Sequence, residues 1–327
     1  MCLRSNKLSV SIMLSGNGEL NPKRVPEIAT SAERSGFAGL WFGETTLHDA
    51  SILATIAAGA STKIQLGTAI LNVYTRTPSE LALLGKTLNE YSNGRFTLGL
   101  GVSTAGIVKN WHGIQFEQPA ARIVETVKIL KLYYSGETFS TLGKFSSPTN
   151  ARLKTSLPPK IALAALNDWM IRKAASISDR IILNVHPVER IRHVMKIIEE
   201  SCNGKKRPIL SVMLYSQIGE EAQNEDAARK LISFYGSAPA YSSLFSSLGF
   251  HKEAKAMLEA WKRRDRDSAM RNVTREMIDK LMVLGSVRDV KERVKMYIEA
   301  GVEDVFISPS PFGNFEENLN GVLTKFF

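Results

Sequence analysis

The run Lys63-Ile64-Gln65-Leu66-Gly67-Thr68-Ala69-Ile70-Leu71-Asn72-Val73-Tyr74-Thr75-Arg76-Thr77-Pro78 decides the fold class. Residues 64–71 are apolar enough for a buried strand, and they feed straight into a polar loop at 72–76. Pro78 then opens a helical pattern that ends near Tyr91, and Asn93-Gly94-Arg95 turns the chain into a second strand at 96–101. Strand, loop, helix and strand in that order make one unit of a parallel α/β sheet. Such sheets bind their ligands at the loops beyond the strands' C-terminal ends.

The same alternation extends in both directions. Strands are expected at 8–14, 39–42, 64–71, 96–101, 161–165, 180–185, 209–218 and 305–308. Helices are expected between them, at 22–35, 50–60, 78–91, 118–134, 168–176 and 188–201, with a closing helix at 287–300. Ile123, Val127, Leu130 and Tyr134 show the helical spacing clearly. The Ser-, Thr-, Gly- and Pro-rich stretch 135–159 reads as a surface excursion, because the alternation resumes at once. Eight strands in βα order predict an α/β fold, a (β/α)8 TIM barrel with a helical insertion after strand seven at about 220–285. Residues 1–327 are then a single domain, and a doubly wound open sheet is the alternative.

Composition narrows the function. A hydrophobic fraction of 44% is ordinary for a globular protein. The longest apolar runs are about eight residues against the roughly 20 that span a bilayer, so no membrane association is expected. The first seven residues lack the apolar core and cleavage site of an export signal, and Cys2 and Cys202 make no disulfide or metal framework. A cytoplasmic protein without a metal is the expectation. The net charge of +10 peaks in Lys262-Arg263-Arg264-Asp265-Arg266-Asp267, which alternates in sign like a solvated helix face. No nucleic-acid signature accompanies it, so the expected partner is a small-molecule substrate.

In a barrel the chemistry sits just past the strands. Those positions read Ser11; Glu44-Thr45-Thr46 with His48; Asn72 to Arg76; Val102-Ser103-Thr104-Ala105-Gly106; Leu166-Asn167-Asp168; Asn184 and His186; Ser216-Gln217; and Ser308 to Ser310. Hydroxyls and amides dominate. A Ser/His/Asp order, paired carboxylates and a metal cluster are missing, which favours a bound cofactor that brings its own chemistry. Gly99 and Gly101 suggest a dinucleotide fingerprint, but the third glycine falls at 106 instead of 104. The backbone amides and hydroxyls of Ser103 and Thr104 are candidates to cradle a phosphate. Glu44 is either an acid/base or a salt-bridged anchor. Arg76 either holds an anion or locks its loop by hydrogen bonds.

Longer segments carry a family likeness. Residues 32–41, the opening run, and Leu88-Asn89-Glu90-Tyr91-Ser92-Asn93-Gly94-Arg95-Phe96-Thr97-Leu98-Gly99-Leu100-Gly101 resemble the bacterial luciferase-like superfamily, within it the branch that uses coenzyme F420, a deazaflavin. Residues 122–136, 235–250, 284–290 and 301–305 agree, in matching order. The resemblance implies an oxidoreductase that transfers hydride between F420 and an organic substrate, working as a homodimer. It places Ala69 and Ile70 at a bulge behind the cofactor ring, often a non-prolyl cis peptide. It places Val102, Ser103 and Thr104 near the phosphate, and Leu166 and Asn167 on the fifth-strand loop. Apart from the resemblance, Asn72 is expected among the cofactor contacts, Arg76 is expected to position the substrate, and Glu44, where relatives often have Asp, to polarise or protonate it. Where the branch often has an acidic residue on the first strand, this chain has Ser11. An FMN-dependent monooxygenase and a non-catalytic cofactor-binding homologue are the alternative readings.

Overall fold

The computed structural model describes residues 9–15, 20–202, 204, 206–218 and 221–327, without the side chains of 221–224. Eight parallel strands close a barrel: β1 (Val10–Leu14), β2 (Gly39–Phe42), β3 (Gln65–Thr68), β5 (Phe96–Gly101), β6 (Lys160–Ala165), β7 (Arg180–Asn184), β8 (Ile209–Ile218) and β10 (Asp304–Pro309). β10 pairs with both β1 and β8, which closes the eight strands on themselves. The third predicted strand is broken in two: β4 (Leu71–Asn72) follows β3 after a kink and pairs with β5. A further strand, β9 (Met282–Gly285), lies in the predicted insertion and pairs with the far end of β8. Position 8 of the first predicted strand lies outside the described residues.

Helices α1 (Val25–Arg34), α2 (Ala50–Ala60), α3 (Pro78–Tyr91), α4 (Pro119–Tyr134), α5 (Asp168–Ile177) and α6 (Val188–Cys202) connect the strands. Local sequence starts several of them. Asp49 accepts from the N–H groups of Ser51 and Ile52 at the head of α2, Thr77 caps α3 with Pro78 in its first turn, and Asn167 caps α5. After β8 come α7 (Glu221–Gly236), α8 (Pro239–Ser247), α9 (His251–Lys262), α10 (Arg266–Arg271) and α11 (Arg275–Leu281). α12 (Val287–Glu299), started by a Ser286–Asp289 capping box, leads to β10, and α13 (Phe315–Lys325) ends the chain. The sequence pattern gave no sign of α13. The charged run 262–267 is exposed but spans the turn between α9 and α10 rather than a helix face.

Strand residues are buried on both sides, as parallel barrels require. Residues outside the barrel pack under the helices, while Met13, Trp41, Ala69, Ala162, Ile182, Met213 and Phe306 fill its interior. Trp41 and Phe306 stack at 4.5 Å. Below them a polar plug closes the N-terminal end. Ser11 Oγ donates to Asp304 (2.9 Å), and Arg180 Nη1 donates to Asp304 Oδ2 (2.8 Å) and Ser211 Oγ (2.5 Å) beneath the Trp41 ring. Ser11 is therefore not on the rim where the sequence reading placed it. It is the second residue of β1, and it is Ser15 that follows the strand.

Candidate functional site

The remaining predicted site residues converge on the C-terminal end of the barrel, from the last residues of its strands and the loops that follow them. Glu44 follows β2 and meets Arg76, from the loop after β4, in a two-pronged ion pair of 2.6 and 2.8 Å. Arg76 Nη2 also reaches Asp49 at 2.7 Å, and Glu44 accepts from the Ala50 N–H. The pair is nearly buried, with 11% and 14% of the two side chains exposed. Arg76 thus ties three segments together, and its hydrogen bonds lock the loop.

Ala69 and Ile70 are joined by a cis peptide, at the bulge where the family likeness puts one. Ala69 faces the barrel interior, and the Ile70 side chain lies over Gly101, where a Cβ would stand 2.6 Å from Ile70 Cγ1. Asn72 Oδ1 accepts from the Tyr74 N–H, while its buried Nδ2 has no partner. Val102, Ser103 and Thr104 leave β5 partly exposed. Ser103 takes a φ of +58°, and Thr104 Oγ1 receives the Ile107 N–H at 3.4 Å, starting a short helical turn. Leu166 packs against the insertion, and Asn167 is exposed with its side chain committed to capping α5.

His186 is fully buried, and its two ring nitrogens face the carbonyl oxygens of Asn184 (2.9 Å) and Leu166 (3.1 Å). Burial pushes this imidazole down to about 4, with Arg190 opposing the charge as well. A neutral ring has one N–H, so only one of the two contacts is a hydrogen bond near neutral pH. The clasp holds the loop after β6 to the turn after β7. Beside it, Asp168 binds Arg190 (2.7 Å) and His193 (2.8 Å), so this acidic group is also committed.

Three tyrosines were not singled out from the sequence as site residues. Tyr215, two residues beyond the interior Met213, points the same way at the mouth. Its hydroxyl bonds that of Tyr235 on α7, and Asn184 Nδ2 donates to Tyr241 on α8 at 2.9 Å. Burial raises all three hydroxyls above the ordinary tyrosine range, so they stay neutral. Counting in twos along β8 would have found Tyr215; Tyr235 and Tyr241 reach it through helix packing. Uncommitted buried atoms also line this end: Asn184 Oδ1, Ser308 Oγ and Gln217 Oε1.

The model of the luciferase-like monooxygenase family covers residues 8–304. The chain belongs to that family of enzymes. A 5,10-methylenetetrahydromethanopterin reductase of Archaeoglobus fulgidus is 27% identical over 86% of this chain and 88% of its own length. A putative coenzyme F420-dependent oxidoreductase of Mycobacterium tuberculosis is 22% identical over 90% and 93%. The fold superposes on the F420-dependent tetrahydromethanopterin reductase of Methanopyrus kandleri with a TM-score of 0.81, 22% identity and coverage of 97% and 98%. Among the described residues no helix is long and apolar enough to cross a membrane.

Proposed function

We propose that this luciferase-like enzyme is an oxidoreductase that uses coenzyme F420 to move a hydride to or from a small organic substrate. One observation carries the reading. The charged side chains at the barrel mouth are committed to one another, whereas buried neutral atoms on several of its strands, Asn72 Nδ2, Asn184 Oδ1 and Ser308 Oγ, have no partner. Such a mouth suits a large, mostly uncharged ring with polar edges. The named relatives support the choice of a deazaflavin.

The residues fit such a group. Ala69, Ile70 and Val102 form the apolar wall of the cleft, and Ile70 sits low because Gly101 has no side chain. Ser103, Thr104, Leu166 and Asn167 would hold the phosphate-bearing tail, and Asn72 a polar edge. When bound, F420 supplies the hydride chemistry at its ring carbon; the protein supplies position and excludes water. Arg76 would position substrate from the loop it locks. For Glu44 to polarise or protonate that substrate, its carboxylate has to leave Arg76. Until then the pair acts as the anchor of the Asn72 loop.

The test is a fluorescence titration of the purified protein with F420, run beside FMN at matched concentrations. Saturable binding of F420 and not FMN is expected. Preference for FMN would point to the monooxygenase chemistry, and binding of neither would overturn the cofactor reading.

A further inference from the structure

Asn184 ends β7 on a turn that this sequence would not adopt unaided. The next residue, Val185, is β-branched and buried, yet its φ is +49°, a conformation that persists only where the surroundings hold it. Two hydrogen bonds at His186 do so: its one ring N–H, shared between the facing carbonyls of Asn184 and Leu166, and the Tyr297 hydroxyl donating to His186 O at 2.7 Å. The turn aims the Asn184 side chain. Ile182, two residues earlier, is part of the barrel interior, so Asn184 faces the same side one layer higher, at the mouth.

The amide lies among the hydroxyls of Tyr215, Tyr235 and Tyr241, with its nitrogen committed and its oxygen without a partner. Its Nδ2 donates to Tyr241, whose ring packs 4.7 Å from Tyr235, itself bonded to Tyr215. Its Oδ1 is buried without a donor, and Ser308 Oγ, on the strand next but one, is likewise uncommitted. A buried acceptor left without a donor is costly, and natural structures rarely keep one that nothing will satisfy.

We infer that Asn184 reads the cofactor ring: its Oδ1 accepts a hydrogen bond from the imide N–H that deazaflavins and flavins share. This rests on the mouth being the cofactor cleft. The role is one of recognition, and no proton changes hands. A neutral amide suits it, because a neutral imide N–H needs an acceptor and gains nothing from a fixed charge. His186 acts through Asn184 by fixing the turn that presents it.

Two substitutions separate the possibilities. Asn184→Leu keeps the side-chain size and removes the acceptor. Asn184→Asp keeps an acceptor in place, since Tyr241 can turn its hydroxyl to donate. In titrations with F420 and FMN, Asn184→Leu is expected to weaken whichever wild-type protein binds by about tenfold or more, the order that a lost buried partner costs. Asn184→Asp is expected to stay close to wild type. Unchanged affinity in Asn184→Leu overturns the contact and leaves the cofactor reading intact. Equal loss in both variants overturns the acceptor role. Wild-type binding of neither molecule overturns both readings together. Should circular dichroism show Asn184→Leu unfolded, Tyr241→Phe decides, because it frees the amide without touching the ligand. Binding weakened severalfold supports the inference, and unchanged binding overturns it.

Discussion

Glu44 and Arg76 show what a side chain's neighbours do to its chemistry. Either residue alone could be read as an acid or an anion-binding group. They form a nearly buried pair, and the more exposed Asp49 joins it, so that one guanidinium serves two carboxylates. Arg76→Met would strand those carboxylates side by side, and about 3 kcal/mol of stability should be lost, the lower end of what breaking a buried pair costs. Adding Glu44→Gln should restore part of that loss, because one stranded charge is gone. Urea denaturation of the two variants beside wild type reads this directly. Equal losses in the single and double variants would contradict it. The sequence named both residues and both alternatives for each, but spacing alone had no means of choosing between them.

At the scale of single elements, the third and fourth predicted strands carry the site by close approach. A Cβ on Gly99 would stand 1.7 Å from the Thr68 carbonyl oxygen, which is backbone and cannot move aside. A Cβ on Gly101 would meet side-chain atoms of Ile70, 2.6 Å from Cγ1, rather than backbone. Gly99→Ala should therefore destabilise the barrel at or above the upper end of the about 1–3 kcal/mol typical of overpacking. Gly101→Ala should lower melting less than Gly99→Ala does, and weaken F420 binding by displacing Ile70. Thermal melts and titrations of the two variants distinguish them, and a reversed pattern would refute the account. The boundaries of α3, β5 and β8 were legible because proline, turn residues and apolar runs mark them locally. The break between β3 and β4 shows in no composition or period. It entered the sequence reading only through family likeness.

Over the whole molecule, the insertion is more than an appendage. α7, α8, α9 and α11 form a second core with Val185 and Tyr215, so the packing of the insertion is continuous with the end of β7 and β8. Occupation of the mouth should then stiffen both. Hydrogen exchange with F420 present should slow at residues 180–186 and 235–248, while α1, which packs against α2 and β2 on the other side, stays as it was. Protection confined to the loops after β3 and β5 would place the ligand away from Asn184.

Sequence alone determined the alternation of strands and helices, hence the barrel and the end at which the rim loops gather. It did so because hydrophobic period, proline and glycine act within a few residues of where they stand. It also located the rim residues on the strands, apart from Ser11, which belongs to the plug at the other end. Only the tertiary structure decided which of those residues are available. The Glu44–Arg76 bond joins positions 32 apart, His186 reaches Leu166 across 20 residues, and Ser11 meets Asp304 across 293. Whether a charge is free or committed, and whether an amide has a partner, depends on such meetings in space, and one-dimensional spacing does not specify them.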